Sequence, residues 1–308
     1  MTLNRRNFLG STANGLLAAA TGAALGRVGR AEEKAKPADQ KKIIVGGHPW
    51  VYAATQPNND IYPILDRIFA DMSYAGLDGI ELMHTALRPA DSVETIRVLS
   101  KKHSLAVIGT SFGGNLWNGE QHEGILQDAR TVVNRLADVG GRTFGVSVGK
   151  APQLKTPAQL DAQAELLREL IALCQSRGVT LNLHNHTYEV ENDMHDLKGT
   201  LSRIPDVKLG PDLNWLLRGG VDPVAFIKRF GKAIVFLHLR DQKADGRWSE
   251  ALGEGAMDYP AIAGALRETR FQGDAVIELA HERDFKPTRP LRESLKRSRE
   301  FVRTVLGW

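Results

Sequence analysis

Residues 157–186 read "PAQLDAQAELLRELIALCQSRGVTLNLHNH" and contain a predicted helix followed by a predicted strand. After Pro157, apolar residues recur at three- and four-residue spacing as far as Gly178, a pattern typical of an amphipathic helix with proline at its start and glycine at its end. From Leu181 to His186, apolar and polar residues alternate, as in a strand with one apolar face. The stretch therefore predicts one helix–strand unit whose strand ends in two imidazoles.

The same alternation of short apolar runs and longer amphipathic stretches occurs eight times between residues 43 and 308. The strand-like runs are "IIVGGHPW", "GIELM", "AVIGTSF", "TFGVSVG", "VTLNLHNH", "VKLGPDLNW", "IVFLHLRD" and "DAVIELA". Eight such units predict an α/β fold, a single closed (β/α)₈ TIM barrel. An open doubly wound sheet is the alternative, but no glycine-rich dinucleotide fingerprint follows the first run.

The N-terminal residues have a different composition. Arg5 and Arg6 precede a weakly apolar run rich in alanine and glycine, and a small-residue cleavage site follows near Ala31. We therefore expect a twin-arginine signal peptide at 1–31, a polar tether at 32–42 and the barrel at 43–308. This places the protein in the periplasm or otherwise outside the cytoplasm. The apolar run is too short and glycine-rich to span a membrane, so no stable insertion is expected after cleavage.

Removal of the signal also changes the charge of the protein. The whole chain carries a net charge of +4, and residues 1–31 hold four arginines and no acidic residue, so the mature chain is neutral. A neutral protein has no basic surface for a nucleic-acid backbone, and we expect no nucleic-acid partner. The single cysteine, Cys174, excludes an intramolecular disulfide and fits a small buried apolar residue in a helix.

Side chains that bind metals end four consecutive predicted strands. His184 and His186 end the fifth, Asp212 the sixth, His238 the seventh and Glu278 the eighth. The carboxyl ends of barrel strands meet at one mouth, and the period of two directs these side chains toward it. Mixed nitrogen and oxygen donors predict one divalent cation, with Mn²⁺ expected first and Co²⁺, Zn²⁺, Fe²⁺ or Mg²⁺ as alternatives.

Several motifs resemble one known family over essentially the whole mature chain. They are "GLDGIEL", "GPDLNWLLRGGVDPVAFIKRF", "FLHLRD", "LGEGAMDYPAI" and "VIELA". They are similar to motifs of the sugar (phosphate) isomerases and epimerases in the xylose isomerase-like superfamily. Members such as tagatose 3-epimerase and inosose dehydratase bind one divalent metal through Glu, Asp, His and Glu. The resemblance implies Asp212, His238 and Glu278 as three of the ligands.

The fifth strand departs from that pattern, because His184 stands where the family usually has its first glutamate. The chain resembles a branch with His-Asn-His on this strand and a tryptophan, here Trp215, shortly after the aspartate. This implies His184 as the fourth ligand and places His186 or Glu189 toward the substrate. A role for His186 in supporting the ligands is an equal alternative.

The resemblance implies proton abstraction next to a metal-bound carbonyl, with Glu278 as general base. In the epimerases two metal-bound glutamates move the proton from one face to the other, and His184 disturbs that symmetry. We expect isomerisation or epimerisation of a non-phosphorylated ketose or keto-sugar, with Glu189 and His186 as further catalytic candidates. A lyase or dehydratase acting on a keto-sugar or keto-glycoside is the alternative, because both begin with the same abstraction.

Five further residues lie near predicted strand ends and are candidates for substrate contact. They are Glu81, His84, His48, Trp215 and Lys243. Each has an ordinary structural alternative, such as an ion pair for Glu81, core packing for Trp215 or plain exposure for Lys243.

Two other functions compete with a sugar enzyme. A nuclease on this barrel would need more ligands and a basic groove, and the neutral mature charge and export argue against it. A non-catalytic carbohydrate-binding protein would keep its affinity for sugar after loss of Glu278. The sequence leaves a homo-oligomer open.

Overall fold

Eight parallel strands form the centre of the described chain. The structure is a computed structural model that describes residues 42–308, so the predicted signal peptide and nearly all of the predicted tether lie outside the described residues. The strands are β1 Val45–Gly47, β2 Gly79–Met83, β3 Ala106–Gly113, β4 Thr143–Ser147, β5 Thr180–Leu183, β6 Lys208–Leu209, β7 Phe236–Leu239 and β8 Asp274–Ile277.

The strands close into a ring. Their order in the sheet is β6-β5-β4-β3-β2-β1-β8-β7, so each strand pairs with its neighbours in sequence. Isolated parallel bridges join Leu209 to Ile234 and Asp212 to His238, which connects the β6 segment to the β7 segment. A doubly wound sheet would reverse its strand order part-way. The predicted single (β/α)₈ barrel is therefore confirmed.

Helices follow the strands and cover the ring. They are α1 Trp50–Ala53, α2 Leu65–Tyr74, α3 Ser92–His103, α4 His122–Asp138, α5 Pro157–Ser176, α6 Thr187–Arg203, α7 Leu213–Arg218, α8 Pro223–Phe230, α9 Tyr259–Glu268 and α10 Leu291–Phe301, which continues as the π-helix Val302–Leu306. The helix of the opening stretch starts at Pro157 because Thr156 and Gln159 cap each other's backbone N–H groups. Within residues 42–308, no helix is long and apolar enough to cross a membrane.

The inside of the barrel changes from apolar to polar toward the carboxyl ends of the strands. Ile108, Phe236 and Val276 pack together as a small apolar layer. Glu81 and Asn182, both fully buried, also lie inside the barrel. Glycine leaves room for Asn182, since a Cβ on Gly210 would lie 1.8 Å from its Oδ1. The barrel thus holds polar groups below its mouth.

The loop after β7 folds around the carboxylate of Asp241, which is 4% exposed. Oδ1 accepts hydrogen bonds from the N–H groups of Gln242 and Met257, and Oδ2 accepts from those of Gly253 and Gly255. A Cβ on Gly255 would lie 2.1 Å from Asp241 Oδ1, so the close approach requires glycine. The "GEG" sequence therefore surrounds a carboxylate of the chain itself.

Asp241→Asn is expected to lower the free energy of unfolding by about 2 kcal/mol, because the amide nitrogen cannot accept the bonds that one carboxylate oxygen accepted. Urea unfolding measures the change. Asp222→Asn is the control: Asp222 accepts from the N–H of Val224 at the start of α8, and asparagine caps a helix equally well. Equal losses in the two variants would contradict the role given to Asp241.

Candidate active site

A cavity of about 670 Å³ lies at the carboxyl ends of the strands, where barrel enzymes hold their active sites. The predicted site residues on its walls are His48, His84, His184, His186, Trp215, His238 and Glu278. Glu81, Asp212 and Glu189 are buried behind these walls. Lys243 is exposed in the turn of the hairpin bridged by Gln242 and Trp248 and does not line the cavity, so its contact with substrate stays a prediction.

Three of the four predicted metal ligands lie together. Asp212, His238 and Glu278 each offer a donor atom, and these atoms lie within 4.8 Å of one another. Asp212 is held by its own helix, because its Oδ1 accepts from the N–H groups of Asn214 and Trp215 at the start of α7. Its Oδ2 points toward His238 and Glu278 and accepts a hydrogen bond from Arg240.

His238 lies between two carboxylates. Its Nδ1 is 2.6 Å from Oε2 of Glu278, and its Nε2 is 3.2 Å from Oε2 of Glu81. Burial alone would lower the pKa of His238, but the attraction of Glu81 and Glu278 raises it to about 9. A carboxylate behind a ligand imidazole fixes the tautomer and the ring orientation. Glu81 is fully buried beneath the cavity, and its ion pair with His238 corresponds to the structural alternative that the sequence left open beside substrate contact.

Arg240 lies between Asp212 and Glu278, the two carboxylates of the candidate metal site. Its Nε donates to Asp212 Oδ2 at 2.6 Å, and its terminal nitrogen forms an ion pair with Glu278. Arg240 is 4% exposed and lies over the rings of Trp215 and Trp248. Arg240 was not among the predicted site residues, although it shares strand parity with His238 in "FLHLRD".

Carboxyl groups outnumber the cationic side chains around this site. Glu81, Asp212 and Glu278 are at most 4% exposed, and Arg240 supplies one positive charge. With all three carboxylates ionised and His238 protonated, three negative charges would face two cations. Burial raises the pKa of Glu81 and of Asp212, because such uncompensated buried charge is costly. A divalent cation beside a neutral His238 would balance the three carboxylates together with Arg240. The donor set and the charge therefore fit a divalent metal.

His184 lies beside this group. Its ring centroid is 4.4 Å from that of His238, and its buried Nδ1 has no hydrogen-bond partner. Burial and the neighbouring His238 hold the pKa of His184 well below its usual value, which keeps the imidazole neutral. A neutral imidazole with a free nitrogen suits metal binding. The three-residue group does not include His184, so its role as fourth ligand stays a prediction.

A second polar cluster lies on the wall beside His184. Ser147 Oγ, at the end of β4, donates to Glu189 Oε1 at 2.7 Å and lies 2.7 Å from Tyr188 Oη and 3.2 Å from His186 Nδ1. Glu189 Oε2 also accepts from the backbone N–H of His186. Burial raises the pKa of Glu189 to about 7 and lowers that of His186 to about 4. Glu189 is therefore buried behind the cavity wall and contacts the backbone N–H of His186 and the hydroxyl of Ser147.

The difference in unfolding free energy between wild type and Glu189→Gln is expected to change by up to about 3 kcal/mol from about pH 5 to about pH 8. A carboxyl with a folded-state pKa of about 7, above its usual 4.5, contributes stability below pH 4.5 and loses it as the pH rises through 7. Wild type should therefore lose stability relative to the variant, which cannot ionise. Urea unfolding at both pH values measures this.

Glu250→Gln is the control for that series. Glu250 is also buried, but Thr288 and Arg289 hold its pKa below the usual value despite the opposing effect of burial, so it titrates below this window. The same pH dependence in wild type and Glu189→Gln would contradict the assignment.

Comparison with known proteins identifies the family. A family model described as a xylose isomerase-like TIM barrel matches residues 69–304. The chain belongs to this family. Rhizopine catabolism protein MocC of Rhizobium meliloti is 26% identical to the chain over 264 residues, which cover 74% of this chain and 77% of that protein.

Solved structures of similar barrels support the fold of this xylose isomerase-like chain. An L-ribulose 3-epimerase matches with a TM-score of 0.70 and 19% identity, over 86% of this chain and 95% of that one. The 3-keto-D-glucoside 4-epimerase YcjR of E. coli matches with a TM-score of 0.65 and 18% identity, over 85% and 100%. At these identities the matches show the shared barrel.

Two further histidines, His48 and His84, line the cavity on the side opposite His184 and His186. His48 is 4% exposed, with its Nδ1 3.2 Å from Glu278 Oε1 and its Nε2 3.0 Å from Ser111 Oγ. The ring of His84 packs edge-on against Phe112, and burial lowers its pKa, so it is neutral at pH 7. His48 Nδ1 also accepts from the N–H of Trp50, so His48 lies against Glu278 without donating to it from that nitrogen, and His84 presents a neutral imidazole at the wall.

Proposed function

We propose that the protein is a divalent-metal-dependent sugar isomerase or epimerase that acts on a non-phosphorylated ketose or keto-sugar. The observation that carries the proposal is the Asp212, His238 and Glu278 group beside a cavity of about 670 Å³. A volume of this size accommodates a small organic ligand. The similar structures named as an L-ribulose 3-epimerase and a 3-keto-D-glucoside 4-epimerase support sugar chemistry.

A metal bound there would polarise a substrate carbonyl and acidify the neighbouring carbon–hydrogen bond. Glu278 is the proton acceptor in this proposal. Burial alone would raise its pKa, but Arg240 and His48 hold the pKa well below the usual range, so the carboxylate is ionised at neutral pH. Mn²⁺ is the proposed ion, since nitrogen and oxygen donors are mixed and no thiolate is present in the group.

The cavity walls favour a substrate without a phosphate group. The lysine and arginine side chains that line the cavity are Lys150 and Arg240. Arg240 is already paired with Asp212 and Glu278, so within residues 42–308 the cavity lining has Lys150 as its remaining lysine or arginine. Phosphate sites usually combine several cations or a helix N-terminus with backbone N–H groups.

A lyase or dehydratase is the second candidate, favoured by the asymmetry of the two walls. Glu278 offers a carboxylate on one side, whereas His184 and His186 offer neutral imidazoles on the other. One carboxylate base with an imidazole opposite can remove a proton and then assist departure of a leaving group from the next carbon.

Hydrogen–deuterium exchange followed by NMR tests the proposed function. Full mature protein loaded with Mn²⁺ would be mixed in D₂O with ketoses and 3-keto-glycosides. We expect metal-dependent deuterium incorporation next to a carbonyl, and the product distinguishes epimerisation, isomerisation and elimination. Sugar binding without exchange on any compound would contradict the enzyme and favour a carbohydrate-binding protein.

We also propose export through the twin-arginine pathway, with removal of residues 1–31. The twin arginines Arg5 and Arg6 support this proposal, although they lie outside the described residues. Replacing both with lysine should leave the full-length precursor in the cytoplasm. Processing of the double variant at the wild-type rate would contradict this route.

A further inference from the structure

A second cavity adjoins the cavity of the candidate active site. It has a volume of about 210 Å³ and lies between the loop after β4 and the first turns of α6. Lys150 and Tyr188 line this side cavity and also the main cavity of about 670 Å³, so the two cavities meet at these side chains. A cavity of about 300 to 1,000 Å³ suits a drug-sized ligand, and a single ketose ring is smaller than that. The main and side cavities together therefore have room for more than one sugar ring.

Tyr188 forms the partition between the two cavities. Its ring stacks on that of His186, with centroids 5.4 Å apart and planes 12° from parallel. Its Oη lies 2.7 Å from Ser147 Oγ, which fixes the far end of the ring. An aromatic ring held in this way presents a preformed apolar surface on which the C–H groups of a sugar can pack.

A buried ion pair fixes the floor of the side cavity. Lys155 Nζ donates to Asp196 Oδ2 and to Gln163 Oε1, and these three side chains belong to residues that are at most 6% exposed. His195 Nε2 lies 2.9 Å from the backbone oxygen of Lys155. These contacts connect the loop after β4 to α5 and α6. The side cavity is therefore preformed, and a ligand does not have to order its floor.

The rim of the side cavity has an unusual backbone. Asn192, Asp193 and Met194 have φ angles of 53°, 57° and 57°, in the left-handed region, although none of them is glycine. Asparagine and aspartate tolerate this conformation, but it is unfavourable for Met194. Local strain of this kind is concentrated at functional segments. The strained segment holds Glu191 and Asn192 at the wall of the side cavity.

The walls of the side cavity suit a neutral ligand that has both polar and apolar surface. The lysine and acidic residues on them are Lys150, Lys155, Glu191 and Asp196, two of each sign. Pro152 and Leu154 add apolar surface to that of Tyr188. Gln153 and Asn192 are exposed, and within residues 42–308 their side-chain amides make no hydrogen bond. A sugar ring, with hydroxyl groups at its edge and C–H groups on its faces, matches these walls.

We infer that the side cavity binds a second sugar ring, so that the substrate of this site is a keto-glycoside whose reacting ring lies in the main cavity beside the candidate metal site. The inference rests on the proposed function for the reacting ring and narrows its substrate class. Lys150 and Tyr188 mark where the glycosidic link passes from one cavity to the other. Gln153 and Asn192 determine specificity, because an amide both donates to and accepts from hydroxyl groups. A free ketose would make none of these contacts.

Binding observed by NMR tests the side cavity separately from turnover. The full mature protein, labelled with ¹⁵N and supplied with diamagnetic Mg²⁺, would be titrated with methyl 3-ketoglucoside and with the 3-keto derivatives of cellobiose, maltose and trehalose. The side-chain amide signals of Gln153 and Asn192 are assigned by their loss in Gln153→Ala and Asn192→Ala. We expect both signals to shift with at least one two-ring compound and to stay in place with the methyl glycoside. Unchanged signals with all three two-ring compounds would overturn the inference.

Variants of the wall residues test the specificity. Calorimetry of wild type should show a Kd for the preferred two-ring compound at least about tenfold lower than that for methyl 3-ketoglucoside. Replacing Gln153 and Asn192 together by alanine should reduce this ratio to about threefold or less. Asn59→Ala is the control for the left-handed position, because Asn59 is exposed with a φ of 55° and lines neither cavity. A ratio near one in wild type, or an unchanged ratio in the double variant, would overturn the inference.

The side cavity and the proposed function fail in different ways. Deuterium exchange on methyl 3-ketoglucoside without any preference for a second ring would overturn the inference and leave the proposed function intact. Shifted amide signals of Gln153 and Asn192 without exchange on any compound would support the second-ring site and contradict the proposed enzyme.

Discussion

Glu278→Gln is expected to lower the rate of carbon–hydrogen exchange by about 10³-fold while the barrel stays folded. The ionised carboxylate of Glu278 directly follows β8 and lies within reach of His48, His238 and Arg240, and glutamine has its shape but cannot accept the proton. The initial rate of deuterium incorporation at saturating Mn²⁺ measures the effect, so that weaker metal binding does not limit it. Bound Mn²⁺ is counted in the same samples.

Glu250→Gln is the matched control for this variant. Glu250 is 7% exposed and accepts hydrogen bonds from Thr288 outside the cavity. Its loss removes a buried carboxylate without touching the ligand group, and we expect the exchange rate to stay within about twofold of wild type. A wild-type rate of deuterium incorporation in Glu278→Gln would exclude Glu278 as the base that accepts the proton. Equal losses in both variants would show a general effect on folding.

Arg240→Gln is expected to destabilise the metal-free protein by about 3 kcal/mol and to make its stability strongly dependent on metal. Without the guanidinium, Asp212 and Glu278 lose the cation paired with both carboxylates. A divalent cation should recover more stability in the variant than in wild type, because it neutralises charges that Arg240 otherwise shares. Thermal unfolding in EDTA and in Mn²⁺ measures both effects.

Arg299→Gln separates this effect from the loss of any buried arginine. Arg299 is 2% exposed and pairs with Asp78, away from the cavity. Its removal should also destabilise the protein, but without any additional recovery in Mn²⁺. The same response to Mn²⁺ in both variants would contradict a cation site next to Arg240.

Strand parity accounts for much of what the sequence predicted correctly. Alternation with a period of two determines which side chains of a strand face inward, and the barrel brings the strand ends together. Asp212, His238 and Glu278 therefore lie in one group, as their sequence positions predicted. Arg240 follows the same parity, but a charged residue beside a histidine in a motif does not by itself reveal its ion pairs.

Depth and long-range contacts were harder to predict. Glu81 faces inward as its position in "GIELM" suggested, but the register shift between Ile80 and Glu81 and its depth in the barrel place it under His238. The sequence did not identify Ser147 as a site residue, because a single serine at a strand end is common. Its role depends on Glu189, which lies 42 residues later and reaches it only through the turn at the start of α6.

The most direct test of the metal centre is anomalous diffraction from crystals of the mature protein grown with Mn²⁺. We expect one strong peak within about 2.5 Å of oxygens of Asp212 and Glu278 and a ring nitrogen of His238. His184 Nδ1, buried and without a hydrogen-bond partner here, should complete the set. A structure saturated with Mn²⁺ but with no peak at these residues, and with Arg240 still joining the two carboxylates, would contradict the account.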